Sequence, residues 1–362
     1  MFAMKKLHLF LSLNLLACSL ASLAGCSTPE KIDLAYGDTT VSEVTTISFD
    51  LLKEKIDSKD TFLLVVQYSD GCGCWVNEAK PTIEKYIQEK HVVCYHIKKA
   101  DLDAGGNRFG ITIVTGNVSF AIFEDGEVKH CITTQDDETL KKYDQFTSYV
   151  ESIVNLPRMY YVSLDDVDRM YKTAEKNIIY YSRSTCGDCS YVNTHFLKDW
   201  SKKNPGFAKK IYILDCDQQD IRLDDEGKVN AEQWQTFKDD YGMSNKFNTV
   251  YGYDTGYVPS FFLIEGSLTG VKYLSGAVAF NDSTKKDGDE FVVTNSYYTE
   301  ERKQHLQYID DEVEYSVLKG ITLTADDMDY YEKFDFYAWK HESAEKYHNP
   351  LLEKFLSYCE KQ

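Results

Sequence analysis

Apolar and polar residues are arranged along this chain in two successive series that predict the same order of elements. The first series starts with a short amphipathic helix and continues with Thr61 to Tyr68, a nearly continuous apolar run typical of a central strand covered on both faces. A helical pattern and a strand over His91 to Ile97 follow. Two more strands, Val118 to Phe123 and Glu127 to Thr133, are joined by Asp-Gly, a hairpin signal, and Thr139 to Val154 predicts a closing helix.

The second series repeats this order over later residues. It predicts helices and strands over the following segments: Leu164 to Tyr171, Asn177 to Ser182, Ser190 to Trp200, Lys210 to Asp215, Ala231 to Tyr241, Ser260 to Ile264 and Val271 to Leu274. In both series strand, helix and strand precede an antiparallel hairpin, which makes a mixed sheet flanked by helices. We therefore predict an α/β protein with two units of one architecture, residues 46–156 and 157–362.

The length of the chain and one stretch that breaks the repeat refine this division. With 362 residues, 43% of them hydrophobic, the chain is long for one domain and apolar enough for two cores. Residues 281–345 have no counterpart in the first series, and they precede a last helix predicted over Ser343 to Tyr358. We interpret them as an insertion in the second unit, and such insertions commonly select partners.

The N-terminus has the pattern of an export signal. Lysines at positions 5 and 6 precede the apolar run Leu7 to Leu16, which is too short to span a membrane, and then small residues up to Gly25. Residues 23–26, L-A-G-C, resemble a bacterial lipobox, which implies cleavage before Cys26 and its lipidation; an ordinary secretory signal is the alternative. Residues 1–25 are then a signal peptide and residues 26–45 a tether. We expect the mature protein in the cell envelope, held by lipid on the extracytoplasmic side of the membrane.

The net charge argues against one class of partner. The chain carries a formal charge of −18, and removal of Lys5 and Lys6 with the signal peptide brings it two lower, to −20. Phosphate backbones repel so acidic a protein, so no nucleic-acid partner is expected. The sequence also shows no P-loop, Gly-rich dinucleotide motif or Ser-His-Asp arrangement.

Cysteines supply the candidate chemistry, and four of the eight that follow Cys26 form two close pairs. Cys186 and Cys189 lie where a predicted strand meets a predicted helix, so Cys186 falls at a helix N-terminus, where N–H groups and the helix dipole stabilise a thiolate. Cys186 is the predicted nucleophile, and Cys189, within one turn, the predicted resolving thiol. A structural disulfide and half of a zinc site are the alternatives, although no second C-x-x-C or C-x-x-H completes a zinc site.

The other cysteines carry weaker signals. Cys72 and Cys74 form a C-x-C pair after the central strand of the first series, and we assign them to redox chemistry, with a locked disulfide or a metal role as alternatives. The remaining four are scattered. Their pairing does not follow from the sequence, so buried free thiols and structural bridges both stay open for Cys94, Cys131, Cys216 and Cys359.

An acidic run over residues 215–226 invites comparison with a calcium loop. Counting back from Gly227 as the sixth loop position puts Arg222 at the first position, where a calcium site needs an oxygen ligand. We therefore predict a solvated loop.

The order of elements, the cysteine pair after a central strand and the run Val258-Pro259-Ser260 before the second hairpin together resemble the thioredoxin-like fold. The resemblance covers residues 46–156 and 157–280. It implies that Pro259 is a cis-proline facing the cysteine pair and that Val258 offers backbone groups to a bound peptide. It also implies thiol chemistry on protein or peptide substrates, with a redox partner but no organic cofactor or metal, because the cysteines carry the two electrons.

The chain departs from this family at several positions. Six residues before the first cysteine, many thioredoxins carry a buried acid where this chain has Tyr180, and the family's Trp before that cysteine is Thr185. Asp188 places a negative charge beside the thiolate, which opposes a very low pKa and a strongly oxidising potential. In the first unit Val118 stands at the proline position, so we expect that unit to be subordinate.

Two functions are consistent with these residues. One is a membrane-anchored, extracytoplasmic thiol-disulfide oxidoreductase. The other is a non-catalytic binding lipoprotein, for example an accessory factor in peptide export, that keeps the fold for display. A cysteine pair at a helix N-terminus favours the oxidoreductase.

Overall fold

The computed structural model describes residues 31–135, 138–243, 258–278, 283–287, 290–295 and 349–362. The predicted signal peptide, the predicted lipidation site Cys26 and most of the predicted insertion lie outside this part of the chain. None of its helices is long and apolar enough to cross a membrane. Each predicted unit contains a mixed sheet flanked by helices, which confirms the predicted fold class.

The first unit is built around a five-stranded sheet. With the N-terminal segment, its elements are β1 (Ile32–Asp33), β2 (Tyr36–Asp38), β3 (Thr45–Thr46), α1 (Phe49–Asp57), β4 (Phe62–Gln67), a π-helical segment (Cys74–Ala79), α2 (Lys80–Lys90), β5 (Cys94–Lys98), α3 (Lys99–Gly105), β6 (Ser119–Glu124), β7 (Glu127–Thr133), a 3₁₀ turn (Thr139–Lys141), α4 (Tyr143–Ile153) and β8 (Val154–Asn155). The strand order is β3-β5-β4-β6-β7, in which β3, β5 and β4 are parallel and the pairs β4–β6 and β6–β7 antiparallel.

Helices cover both faces of this sheet, which explains the uninterrupted apolar run of its central strand. All six residues of β4 are buried. Leu63 and Val65 pack on the face that α2 and α4 cover, whereas Leu64 and Val66 pack on the face that α1 and α3 cover. Burial of one such side chain contributes about 1.5–3 kcal/mol, so polar residues in β4 would be costly on either face.

The second unit is built around a six-stranded sheet. Its elements are β9 (Met159–Tyr161), α5 (Leu164–Lys172), β10 (Lys176–Ser182), α6 (Gly187–Tyr191), a π-helical segment (Val192–Leu197), α7 (Lys198–Lys203), β11 (Ile211–Asp215), α8 (Ala231–Asp240), β12 (Ser260–Glu265), β13 (Lys272–Val278) and α9 (Asn349–Glu360). The strand order is β13-β12-β10-β11-β9-β2, with β10, β11, β9 and β2 parallel and β12 antiparallel to β10 and β13. A separate hairpin, β14 (Ser283–Asp287) and β15 (Glu290–Asn295), lies in the predicted insertion.

Alternate residues of β10 again divide between two covered faces. Tyr180 packs on the face formed with α6, α7 and α9, and Tyr181 packs on the face formed with α5 and α8. Helix α5 starts at a capping box, in which Ser163 and Asp166 satisfy each other's backbone N–H groups. The helix that carries Cys189 and the C-terminal helix α9 thus contribute to the same apolar cluster on one face of the sheet.

The N-terminal segment is part of the fold, which differs from the predicted tether over residues 26–45. Strand β1 pairs with β8, β2 forms an edge of the second sheet beside β9, and β3 pairs with β5 in the first sheet. Gly37 lies where a Cβ atom would meet the carbonyl of His91 and the ring of Tyr160, so only glycine fits there. Strands of two or three residues have no period to detect, which is why the sequence pattern missed them.

One backbone hydrogen bond and two ion pairs also connect the two units. The amide of Asp38 donates to the carbonyl of His91 at 2.8 Å. Lys198 of α7 lies 3.4 Å from Asp60, and Lys202 lies 3.1 Å from Asp125. Exposed ion pairs of this kind contribute about 1 kcal/mol or less each, so the backbone pairing of the N-terminal segment is the more substantial connection.

Several predicted elements have different ends. The helix predicted to begin at Ser190 begins at Gly187 and runs, through its π-helical segment, to Lys203. The helix predicted over residues 139–154 is divided between the 3₁₀ turn and α4, and α3 was not predicted. The last helix is described from Asn349, so the start predicted for it lies outside the described residues.

Candidate dithiol site

Cys186 and Cys189 lie at the junction between β10 and α6. Cys186 is the N-cap of α6, and its carbonyl accepts a hydrogen bond from the N–H of Ser190 at 2.9 Å, the first bond of the helix. Both cysteines are free thiols; Cys186 is partly exposed, and Cys189 is fully buried. The junction therefore leaves one sulfur accessible to solvent and places the other inside the unit.

The pKa of Cys186 is lowered to about 6. The largest cause is a hydrogen bond from the Cys189 thiol, and backbone N–H groups of Cys189 and Asp188 add to it. Burial and the negative charge of Asp188 act in the opposite direction, as the sequence predicts for that charge. At neutral pH the Cys186 sulfur is therefore mainly a thiolate, the nucleophilic form.

The pKa of the Cys189 thiol changes in the opposite direction to that of Cys186. Its pKa is raised, first because it donates its hydrogen bond to Cys186, and further because it is buried and close to the charge of that thiolate. Hydrogen bonds with the backbone of Arg183 and the side chain of Ser182 lower the pKa only in part. Cys189 thus stays protonated while Cys186 can react, which suits attack by Cys186 and resolution by Cys189.

Two hydroxyl groups, those of Tyr180 and Ser182, lie close to the Cys189 thiol. Tyr180 is fully buried, its ring stacks on Phe261 with centroids 4.2 Å apart, and its hydroxyl accepts a hydrogen bond from Ser182 at 3.2 Å. Burial raises the pKa of Tyr180 well above its ordinary value, so the phenol is neutral. Because Ser182 also contacts Cys189, the pair Tyr180 and Ser182 replaces a buried acid with neutral groups.

The loop between β10 and Cys186 is held by Asp217, a residue that sequence reasoning placed in a solvated acidic run. Its carboxylate is 3% exposed and accepts hydrogen bonds from Arg183 Nε at 3.1 Å and Arg222 Nη1 at 2.6 Å. It also accepts from the amide of Thr185 at 3.1 Å and from the Thr185 hydroxyl. The prediction of a solvated loop is therefore wrong for Asp217, because two arginines far apart in sequence neutralise it.

The peptide bond between Val258 and Pro259 is cis, as the resemblance implied. Strand β12 begins directly after it, and Ser260 pairs with Tyr181 near the carboxyl end of β10. Since the cysteines follow that same end of β10, the proline and the dithiol lie at the same end of the sheet. Pro259 is buried, and Val258 is half-buried.

The first unit has a closed cysteine pair at the corresponding place. Cys72 and Cys74 form a disulfide that follows the central strand β4. The carbonyl oxygen of Gly116 lies 3.5 Å from the Cys72 sulfur and 3.2 Å from the Cys74 sulfur. Val118, which stands at the proline position, is fully buried, and within the described residues the cis peptide bond occurs in the second unit alone. The two units thus differ in the state of the cysteine pair and in the residue, valine or proline, that precedes the hairpin.

The four scattered cysteines are all free, with Cys131 partly exposed and Cys94, Cys216 and Cys359 buried. Burial raises the pKa of Cys359 to about 12 and that of Cys216 well above its ordinary value. Buried thiols with a raised pKa are far less reactive than Cys186. In the part of the chain that the structure describes, no three His, Cys, Asp or Glu side chains are grouped as a metal site would require.

Comparisons with known proteins found solved structures that are similar to this chain. No protein-family model and no curated protein matches the sequence. The zinc-bound form of human ERp44 is 13% identical, with a TM-score of 0.24 over 48% of this chain and 48% of that chain. The bb fragment of ERp72 is 12% identical, with a TM-score of 0.32 over 65% of this chain and 90% of that one. Thioredoxin f from spinach chloroplast is 18% identical, with a TM-score of 0.22 over 31% of this chain and 95% of that one.

This chain spans about half the length of the human ERp44 chains that it matches. The order and direction of the strands define the fold of each unit. In both units a central strand leads to the cysteine pair and a helix, is flanked by a parallel strand, and pairs on its other side with an antiparallel hairpin. The cis-proline precedes that hairpin in the second unit. Both units have the thioredoxin-like fold.

Proposed function

We propose that this protein is a thiol-disulfide oxidoreductase that acts on protein or peptide thiols, with its active dithiol in the second unit. The observation that carries the proposal is the asymmetry of the pair: Cys186 is an accessible sulfur with a pKa of about 6, and Cys189 is a shielded thiol one helical turn away. A structural pair has no need of this difference, whereas two-step disulfide exchange requires it.

The first step is attack by the Cys186 thiolate on one sulfur of a substrate disulfide. The substrate S–S bond breaks, a mixed disulfide with Cys186 forms, and the departing substrate thiolate takes a proton from solvent. Cys189 then loses its proton to the leaving substrate thiolate, directly or through solvent, and attacks the Cys186 sulfur; the S–S bond to the substrate breaks, the second substrate thiol is released and a Cys186–Cys189 disulfide remains. Two electrons pass from the dithiol to the substrate, and a dithiol redox partner returns them. The same steps in reverse oxidise a substrate dithiol.

We assign substrate binding to the end of the sheet next to the dithiol. In this proposal the backbone groups of Val258, next to Pro259, pair with an extended substrate segment in the manner of an added strand. Such pairing uses main-chain atoms and so accepts different sequences. It would bring the substrate disulfide to the accessible side of Cys186 and leave Cys189 shielded.

The first unit has a subordinate role in this proposal. Its Cys72–Cys74 disulfide faces the carbonyl of Gly116, and Val118 stands where the second unit has Pro259. The first unit would accept or store oxidising equivalents in this disulfide. It would not limit the rate of turnover at Cys186.

The decisive experiment is reduction of insulin by the wild-type protein, Cys186→Ser and Cys359→Ser in the presence of a small dithiol. We expect Cys186→Ser to reduce insulin no faster than the dithiol alone. Cys359→Ser, which also removes a free thiol from the second unit, should keep the wild-type rate. Equal rates for wild type and Cys186→Ser would reject the enzyme and favour a binding lipoprotein.

The location of the protein is proposed from the N-terminal sequence. Cleavage before Cys26 and lipidation of its thiol would hold the protein on the outer side of the cytoplasmic membrane. We expect the wild-type protein to partition into the detergent phase of a Triton extract and Cys26→Ser to stay in the aqueous phase. A wild-type protein found only in the aqueous phase would reject the anchor.

A further inference from the structure

The carboxylate of Asp217 is the most densely bonded charged group beside the dithiol. Four donors surround it: Arg183 Nε at 3.1 Å, Arg222 Nη1 at 2.6 Å, the Thr185 amide at 3.1 Å and the Thr185 hydroxyl. Burial alone would raise the pKa of this carboxyl group, but the hydrogen bonds from Thr185 and Arg183 lower it below its ordinary value. Asp217 therefore remains an anion throughout the range in which Cys186 titrates.

These bonds fix the three residues that lead into Cys186. Ser184 and Thr185 are exposed and belong to no helix or strand. The amide of Ser184 donates to Asp215 Oδ1 at 3.1 Å, and that oxygen also accepts from the amide of Asp217 at 2.9 Å. The loop closes with a hydrogen bond of 3.2 Å from the amide of Cys186 to the carbonyl of Arg183. Two carboxylates at the end of β11 thus hold the loop at the end of β10.

The same bonds set the charge near the thiolate. The side chains of Arg183 and Arg222 are 25% and 15% exposed, so their positive charges are only partly screened by water. Asp217 offsets one of the two charges, and Asp215, which accepts from the amides of Ser184 and Asp217, is the second carboxylate of this cluster. The Cys189 thiol, burial, the backbone N–H groups of Cys189 and Asp188, and the charge of Asp188 are the main influences on the pKa of Cys186 in the wild type.

We propose that Asp217 is a positioning residue for the nucleophile: its carboxylate holds the loop from Arg183 to Thr185 in front of Cys186 and limits the positive charge that the two arginines direct at the thiolate. The inference rests on the proposed function for its consequence, which is a dithiol that is less oxidising than the arginines alone would make it. It also explains why a threonine precedes Cys186, since the Thr185 hydroxyl is one of the four donors.

The test measures the rate at which Cys186 is alkylated in the reduced protein as a function of pH. The midpoint is the pH at which this rate is half of its limiting value. Asp217→Asn keeps the shape of the side chain but removes the negative charge that is bonded to both arginines. We expect the midpoint to fall on the order of half a pH unit, because a nearby positive charge favours the thiolate. Arg222→Gln removes one positive charge and should raise the midpoint by a similar amount, and the double variant should return it close to the wild-type value.

Asp166→Asn is the matched control. Asp166 is also buried and accepts hydrogen bonds from Thr39 at 2.7 Å, from Ser163 at 2.8 Å and from Arg169, but it caps α5 and does not contact the loop before Cys186. Its replacement should lower the unfolding midpoint in denaturant without moving the titration of Cys186. A loss of stability by itself therefore cannot reproduce the expected result.

The outcome is decided by the sign of the shifts. A lower midpoint in Asp217→Asn and a higher one in Arg222→Gln, both reversed in the double variant, support the proposal. An unchanged or raised midpoint in Asp217→Asn overturns it, and so does a double variant that stays shifted. If Asp217→Asn does not fold, Arg222→Gln decides alone, since a midpoint that is not raised rejects the charge effect. Alkylation does not require turnover, so a wild-type protein that fails to reduce insulin would reject the proposed function and leave this test standing.

Discussion

The hydrogen bond from Cys189 to Cys186 should be the main reason that Cys186 reacts at acidic pH. The pKa of Cys186 lies well below the ordinary value of a thiol, at about 6, and the hydrogen bond from the Cys189 thiol is the largest of its causes. Replacement of Cys189 by alanine removes this donor but keeps the backbone N–H groups of residues 188 and 189. A hydrogen bond to a charged group contributes roughly 1.5–3 kcal/mol, and about 1.4 kcal/mol corresponds to one pKa unit, so at the lower end of this range the pKa of Cys186 rises by about 1 unit.

The expected effect on reactivity follows from the thiolate fraction. At pH 6.5 a thiol with a pKa of 6 is about three-quarters thiolate, and one with a pKa of 7 is about one-quarter thiolate. Alkylation of Cys186 at this pH should therefore be about three times slower in Cys189→Ala than in the wild type, and the rates should converge above pH 8. The assay is iodoacetamide labelling of the reduced protein from pH 4 to 9, followed by quantification of the peptide that contains Cys186.

A matched control separates the lost hydrogen bond from a lost core side chain. Cys359 is also fully buried in the second unit, in the same apolar cluster as Tyr180, but it belongs to α9. Cys359→Ala should leave the titration of Cys186 in place. An unchanged or lower midpoint in Cys189→Ala would refute the assignment of Cys189 as donor, and preferential labelling of Cys189 in the wild type would reverse the two roles.

Three further outcomes are expected. Cys189→Ala should accumulate reductant-sensitive adducts with substrate proteins on non-reducing gels, and Cys186→Ala should not, because a mixed disulfide persists only when the second thiol cannot attack it; adducts of equal amount in both variants would contradict this order. The double variant Cys72→Ser with Cys74→Ser should keep more than half of the insulin reductase activity, and a loss as complete as that of Cys186→Ser would make the first unit part of the electron path. Tyr180→Phe should cost about 1 kcal/mol or less in urea unfolding, because the ring keeps its stacking on Phe261, whereas Tyr180→Ala should cost about 3–5 kcal/mol; similar losses in both variants would show that the hydroxyl, and not the ring, holds the site.

The local patterns of the sequence were sufficient for the main features of each unit. Apolar runs predicted the central strands β4 and β10, because these strands are covered on both faces and tolerate few polar residues. The resemblance carried by Val258-Pro259-Ser260 identified the cis bond, which the structure contains. These features could be predicted because each depends on residues close together in the chain.

Contacts between distant residues were beyond such patterns. Asp217 lies in an acidic run that is typical of a solvated loop, and its burial depends on Arg183, more than thirty residues earlier, and on Arg222. The short strands β1, β2 and β3 form only by pairing with β8, β9 and β5, whose residues lie far from them in the chain. The state of Cys72 and Cys74 was open in the sequence, and the structure has the pair closed.

The sequence by itself determined that two units of one architecture follow each other and that Cys186 and Cys189 stand at a strand-to-helix junction, because periodicity and spacing are local properties of the chain. Only the tertiary structure decided which groups surround the two sulfurs. Cys189 is shielded and hydrogen-bonded to Cys186, Tyr180 and Ser182 supply neutral hydroxyls beneath it, and Asp217 holds the loop in front. Those groups come from β10, α6 and the loop after β11, and their interactions depend on distances that exist only once the sheet has formed.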